Sequence, residues 1–142
     1  MTERILRLKF DALSVGDKAP VVSHELTRTC LVKYAGASGD FNPMHTDEVA
    51  AQAAGLPSVF GHGMFSMGLL GRALSDWAGP GNLKTYGVRF TKQTWPGETL
   101  STQIVVSAKE ETSQGKLVSA EVSLLNQDGE VKVSGQATVL AD

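Results

Sequence analysis

A single cysteine, Cys30, stands in the 142 residues, so no disulfide forms within the chain and a reducing compartment suits it. Cys30 lies in the apolar stretch Cys30-Leu31-Val32 with no base or cation beside it in sequence. It reads as a buried, inert thiol rather than a nucleophile. An excess of charge is missing too: 13 Lys and Arg face 15 Asp and Glu, and the aromatic residues, 6% of the chain, are not interleaved with basic ones. That excludes the basic stripe of a nucleic-acid binder and points to a small or protein-borne ligand. No apolar run approaches the roughly 20 residues of a spanning helix. Met1-Thr2-Glu3-Arg4 is charged and lacks the apolar core of a signal peptide. The expectation is a soluble, cytoplasmic protein with no membrane contact. There is no repeat, low-complexity segment or linker, so residues 1–142 are expected to form one domain.

What is present changes character near the middle. Thr46 can cap a short Ala-rich helix with Asp47 and Glu48 in its first turn, stopped by Gly55 and Pro57. Met64, Met67, Leu70, Leu74 and Trp77 recur at helical spacing, with Phe65, Leu69 and Ala73 filling much of the other side, which predicts a mostly buried helix over 64–77. Gly68 and Gly71 inside it suggest that another backbone passes close. Downstream, 84–90, 100–108, 118–124 and 131–139 alternate at period two, and Ser113-Gln114-Gly115 and Gln127-Asp128-Gly129 are short enough for hairpins. Val21 to Leu26 adds an edge strand. These patterns describe an α+β domain, one long helix packed in a curved antiparallel sheet.

Three segments carry candidate chemistry. In Gly39-Asp40-Phe41-Asn42-Pro43-Met44-His45, Asp, Asn, Gly and Pro serve a turn for backbone reasons alone. The same turn brings a carboxylate and an imidazole near one another beside an expected helix N-terminus, which suits proton transfer to and from one water. In Phe60-Gly61-His62-Gly63-Met64, His62 reads as a residue at or near the N-cap, and the free Gly63 N–H can meet a carbonyl oxygen that gains charge. Ser66, one turn on, either points its hydroxyl there or bonds its own helix. Asp40, His45 and His62 together lack a recognised metal-ligand spacing, and no metal is expected. Arg89 and Lys92 offer cations for a phosphate, or belong to a solvated strand face.

Tyr34-Ala35-Gly36-Ala37-Ser38-Gly39-Asp40-Phe41-Asn42-Pro43-Met44-His45-Thr46-Asp47 resembles the hydratase-2 motif of the MaoC-like (R)-specific enoyl-thioester hydratases and dehydratases. Gly61-His62-Gly63-Met64 looks like the family's second signature, and Val88-Arg89-Phe90 followed by Pro96-Gly97-Glu98-Thr99-Leu100 is similar to its strand-turn-strand segment. Phe60-Gly61 departs from the more usual aliphatic-Ala before His-Gly, and Gln93-Thr94 from a more apolar approach to the Pro-Gly turn; both bear on channel shape.

The resemblance implies a hotdog fold, a subunit pair whose sheets join, and an acyl-thioester channel near the subunit interface. It implies that Asp40 and His45 hold the catalytic water, that Gly63 N–H receives the thioester oxygen, and that Asn42 supports the turn. His62, Met64, Ser66 and Arg89 are the expected substrate contacts. The expected reaction is reversible hydration of a trans-2-enoyl thioester to the (3R)-hydroxyacyl thioester by a homodimer, higher homo-oligomer or heterodimer. Coenzyme A or acyl-carrier phosphopantetheine enters only as part of the substrate, and no cofactor is expected. Two alternatives stay open: a hotdog thioesterase, disfavoured because the long helix offers only Asp76 near its end, and a non-catalytic acyl-thioester binder or subunit of a heteromeric dehydratase.

Overall fold

The computed structural model describes residues 8–142, so the charged N-terminal stretch 1–4 lies outside the described residues. The elements in chain order are β1 (Ser23–Glu25), α1 (Arg28–Ser38), α2 (Glu48–Ala53), α3 (Gly63–Ala78), β2 (Leu83–Phe90), β3 (Thr99–Thr112), β4 (Gly115–Leu125) and β5 (Val131–Ala141). The period-two segments become one antiparallel sheet in the order β1-β3-β4-β5-β2. Strands β3, β4 and β5 form the expected hairpin meander, while β2 crosses over to pair with β5 at one edge. None of the described helices is long and apolar enough to cross a membrane.

Helix α3 packs against one face of this sheet. Leu70 and Leu74 are fully buried among Leu100, Ile104, Val122 and Leu124, the inward residues of β3 and β4. Truncating either leucine to Ala is expected to cost about 2–5 kcal/mol, since a tight core closes poorly over the void. Trp77 and Leu83 link this core to a second cluster of Phe10, Val106, Val118 and Val139. The Tyr86 hydroxyl donates to the Met67 carbonyl at 2.7 Å, tying β2 to α3, and burial pushes its pKa up to about 12.

Several expectations are corrected. Gly68 faces open space and Gly71 meets the Tyr86 ring, not a backbone. The close backbone approach is at Gly135, where a Cβ would run into the Gly87 carbonyl of β2. The short helix is capped by Asp47, whose carboxylate accepts from Ala50 N–H, and not by Thr46. Helix α1 went unread because it buries only Leu31 and Ala35, too few for a visible stripe. Its signals are at the ends: Thr27 caps it, and Gly39 closes it in the left-handed region at φ 77°, donating to the Ala35 carbonyl. In β5 the pattern that turns Val131 inward fails: Val131 is 38% exposed and Lys132 is buried.

Candidate active site

Helix α1 ends at Gly39, and the next six residues are held by a ladder of short local bonds. The Asp40 carboxylate accepts from Asn42 N–H at 3.2 Å, and the Asn42 side chain accepts from Met44 N–H at 3.1 Å. Pro43 opens the short 3₁₀ turn Pro43–His45, and His45 N–H donates to the Asn42 carbonyl at 3.0 Å. The turn chemistry is therefore real, and Asn42 supports it as a cap. It also delivers His45 inward: the ring is 7% exposed while Asp40 is at the surface.

The ring nitrogens of the two histidines are assigned by their partners. His45 Nδ1 lies 2.6 Å from the Phe60 carbonyl, which can only accept, so Nδ1 carries a proton and the lone pair of the neutral ring is at Nε2. His62 Nε2 faces the Asp40 carbonyl at 3.2 Å and donates likewise, leaving Nδ1 a buried acceptor without a partner among the described residues. The two rings stack with centroids 3.9 Å apart and planes at 27°, and Tyr34 packs edge-on against His62. Burial above all, then the nearby His45, pulls the His62 pKa below its ordinary value, against the opposing pull of Asp40. His62 is thus a neutral platform joining Asp40 to His45, besides standing at the N-cap of α3 without a side-chain capping bond.

Ligand atoms of Asp40, His45 and His62 all lie within 4.8 Å of one another. Two groups at that separation can hydrogen-bond the same water, each at roughly 2.8 Å.

Gly63 is the first residue of α3, where an N–H has no intrahelical acceptor. It opens onto a cavity of about 600 Å³ lined also by Ser66, Phe90, Thr94 and Trp95. Ser66 is 2% exposed, and a Cβ at residue 63 would press on the Phe90 ring at 3.3 Å. Asp40 and His45 do not line this cavity; the turn Phe60–Gly63 separates them from it, with the Phe60 ring packed edge-on against both His45 and Trp95. Met64 is 58% exposed beside this turn. Arg89 lines a separate groove with Glu121 and Gln136 and is not among the residues around the Gly63 cavity.

Cys30 is corrected from inert to perturbed. It is half-buried in the first turn of α1, with His24 Nε2 at 3.3 Å and the Thr27 hydroxyl donating at 3.0 Å, and its pKa falls to about 7, chiefly through Thr27. No adjacent residue announced this, because His24 reaches it across the turn from β1. Lys132 was also missed as a residue of this region: its ammonium sits behind the cavity wall between Glu98 and Glu130, and nothing in the strand pattern marks it.

Comparison with known proteins meets this geometry. The family model described as MaoC like domain matches residues 14–127. The 3-hydroxyacyl-thioester dehydratase Y of Mycobacterium tuberculosis is 48% identical over 71 residues, which are 47% of this chain and 24% of that protein. The solved R-hydratase PhaJ1 of Pseudomonas aeruginosa superposes with a TM-score of 0.83 at 27% identity, over 96% of this chain and 87% of that one. A chain of the ChsH1-ChsH2 complex of Mycobacterium tuberculosis superposes with a TM-score of 0.78 at 27% identity, over 91% of this chain and 98% of that one. The chain thus spans about a quarter of the length of dehydratase Y. The helix wrapped by an antiparallel sheet is the hotdog fold.

Proposed function

The chain belongs to the MaoC-like domain family, and on that footing we propose that it is an (R)-specific enoyl-thioester hydratase, adding water reversibly to a trans-2-enoyl thioester. The observation that carries this reading is the meeting of the Asp40 carboxylate and the His45 ring within 4.8 Å, with His45 Nε2 left as an acceptor. The names of dehydratase Y and of the R-hydratase support it.

A water held between Asp40 and His45 loses a proton to one of them as its oxygen bonds C3 of the substrate. The C2–C3 π electrons move toward the carbonyl, whose oxygen becomes enolate-like. Gly63 N–H, aided by the positive end of α3, holds that oxygen, worth about 3 kcal/mol by comparison with other oxyanion donors. The pair then returns a proton to C2, giving the (3R)-hydroxyacyl thioester; dehydration is the reverse. The two groups share the proton work rather than serving as a fixed acid and a fixed base. The substrate's carbonyl is placed at Gly63, at the edge of the turn, with C3, two bonds from the carbonyl carbon, toward His45, and Ser66 and Met64 flank it. So written, the reaction needs no metal or redox cofactor, and coenzyme A or acyl carrier protein is only the substrate's handle.

A subunit pair completes the reading. The outer edge of β2 has no strand partner among the described residues, and Phe41, Met64 and Phe90 stand exposed around the site. An apolar rim of this kind suits a second subunit. The ChsH1-ChsH2 complex supports a heteromeric version of the same pairing. A cytoplasmic, reducing location suits the free thiol of Cys30.

The test follows the enoyl-thioester ultraviolet absorbance of crotonyl-CoA and of a longer enoyl-CoA. Turnover that yields the (3R)-hydroxy product supports the reading. Release of free thiol from a saturated acyl-CoA, with no hydration, replaces it with a thioesterase.

A further inference from the structure

The cavity that opens at Gly63 has an irregular wall. Phe90 ends β2, and residues 91–95, which supply much of the lining, belong to no strand or helix. Backbone this exposed and irregular holds one shape only if something behind it fixes its polar groups.

At the start of this wall, Thr91 and Lys92 donate their N–H groups to the Lys132 backbone carbonyl at 2.9 and 3.3 Å, and beyond them the Lys132 side chain takes over. Its partners across β4 show why it points inward: Leu124 pairs with Val133 and Leu125 with Val131, so Lys132 is the extra residue of a β-bulge. A bulge re-aims a side chain that simple alternation would send to solvent. Lys132 is 1% exposed, and its ammonium donates to the Gln93 carbonyl at 2.9 Å and contacts Glu98 at 3.0 Å and Glu130 at 2.6 Å. Glu98 in turn accepts from Trp95 N–H at 2.6 Å and from the Asn126 side chain at 2.6 Å. Between Gln93 and Trp95, the Thr94 carbonyl accepts from Gly61 N–H at 2.8 Å. The bonds therefore run from the buried ammonium to the wall, and from the wall to the turn that presents Gly63.

We propose that Lys132 is a positioning residue that fixes the 91–95 wall, and through Thr94 the Gly61–Gly63 turn, in the shape that receives the acyl thioester. It touches no reacting atom, so its loss weakens substrate binding more than chemistry. The kinetic part of this inference rests on the hydratase reading.

The test compares the unaltered protein with Lys132→Met and with the double variant Glu98→Gln, Lys132→Met. Lys132→Met leaves Glu98 buried without its cation and lowers the melting temperature. The double variant removes that charge and regains most of the loss while still lacking a donor to Gln93. Amide hydrogen exchange is the readout independent of activity: Gly61 and Trp95 are expected to exchange about tenfold faster or more in both folded variants, with the α3 interior unchanged. With crotonyl-CoA, KM is expected to rise about tenfold in the double variant while kcat stays within about threefold. A double variant with unaltered exchange at Gly61 and Trp95 overturns the proposal and leaves Lys132 a counter-ion for buried acids. An unaltered KM beside faster exchange overturns it equally, since the wall would then not matter to substrate. If the unaltered protein hydrates no enoyl thioester, the hydratase reading fails, and exchange alone decides whether Lys132 holds the wall.

Discussion

Two walls meet at the N-terminus of α3, and they are held by opposite means. The Asp40–His45 wall is built chiefly from bonds between residues two or three apart, and three longer ties join it to the Phe60–Gly63 turn: His45 Nδ1 to the Phe60 carbonyl, Phe60 N–H to the Met44 carbonyl and His62 Nε2 to the Asp40 carbonyl. The 91–98 wall is built from a buried ammonium 39 residues from the carbonyl it fixes, with two carboxylates around it. Local bonds of the first kind hold backbone and leave His45 Nε2 uncommitted among the described residues. The second wall commits its charges to one another. One arrangement is fitted to react and the other to give shape.

The comparison is broken most sharply by changing the reacting groups alone. His45→Gln and Asp40→Asn are each expected to lower kcat by at least about a hundredfold, the lower range of a positioned acid-base group, with the melting temperature moved by only a few degrees. Enoyl-thioester turnover and thermal unfolding, measured on the same preparations, check it. If either folded variant keeps its rate, the first wall is a turn and no more. Gly61→Ala attacks the seam between the walls, because a Cβ there would run into the Thr94 hydroxyl. The expected cost is about 1–3 kcal/mol of stability from overpacking, with slower turnover as the Gly63 amide shifts. Denaturant unfolding gives the first number and steady-state kinetics the second. A stable Gly61→Ala variant would mean that the seam yields easily.

The same difference explains what could be read beforehand. The first wall was legible because Asp, Asn and Pro act on neighbours two residues away, so Gly39-Asp40-Phe41-Asn42-Pro43-Met44-His45 carries its own geometry. Helix α3 and strands β2 to β5 were legible because their apolar residues repeat at the helix or strand period. The second wall was not. Lys132 looks like a solvent-facing residue of β5 until the bulge, created by pairing with β4, turns it in. His24 and Cys30 likewise meet only because β1 is held at the edge of β3. The role of His62 was half legible: its N-cap position follows from the glycines around it, whereas its stacking on His45 needs the turn and the helix to be brought together.

His62, packed against the first wall, gives a finer test of it. Its pKa in the folded chain lies below the ordinary 6.5, so between the two values the unfolded chain binds more protons than the folded one. Stability is therefore full above pH 6.5 and declines as pH falls through that value toward the folded pKa. His62→Phe keeps a ring for stacking and removes the titration, so its stability should fall less steeply over the same interval. Parallel curves for the two proteins would place the acid sensitivity elsewhere. Loss of the bond to the Asp40 carbonyl should also slow turnover in the variant at pH 7, by less than changing Asp40 itself.

The smallest effect belongs outside both walls. Cys30 has a pKa of about 7 against an ordinary 9.0, because the Thr27 hydroxyl donates to the sulfur, with backbone donation and His24 adding to it against the cost of burial. A thiolate present in quantity at neutral pH should be alkylated by iodoacetamide with a rate that rises through a midpoint near pH 7. Thr27→Val removes the hydroxyl and should move that midpoint upward, at a cost of about 1 kcal/mol from the lost N-cap. An unmoved midpoint would assign the shift to His24 and the helix terminus instead. Alkylated protein should keep its hydration rate, since Cys30 touches neither Asp40, His45 nor the 91–98 wall; a lost rate would make α1 part of the site and the two-wall division too narrow.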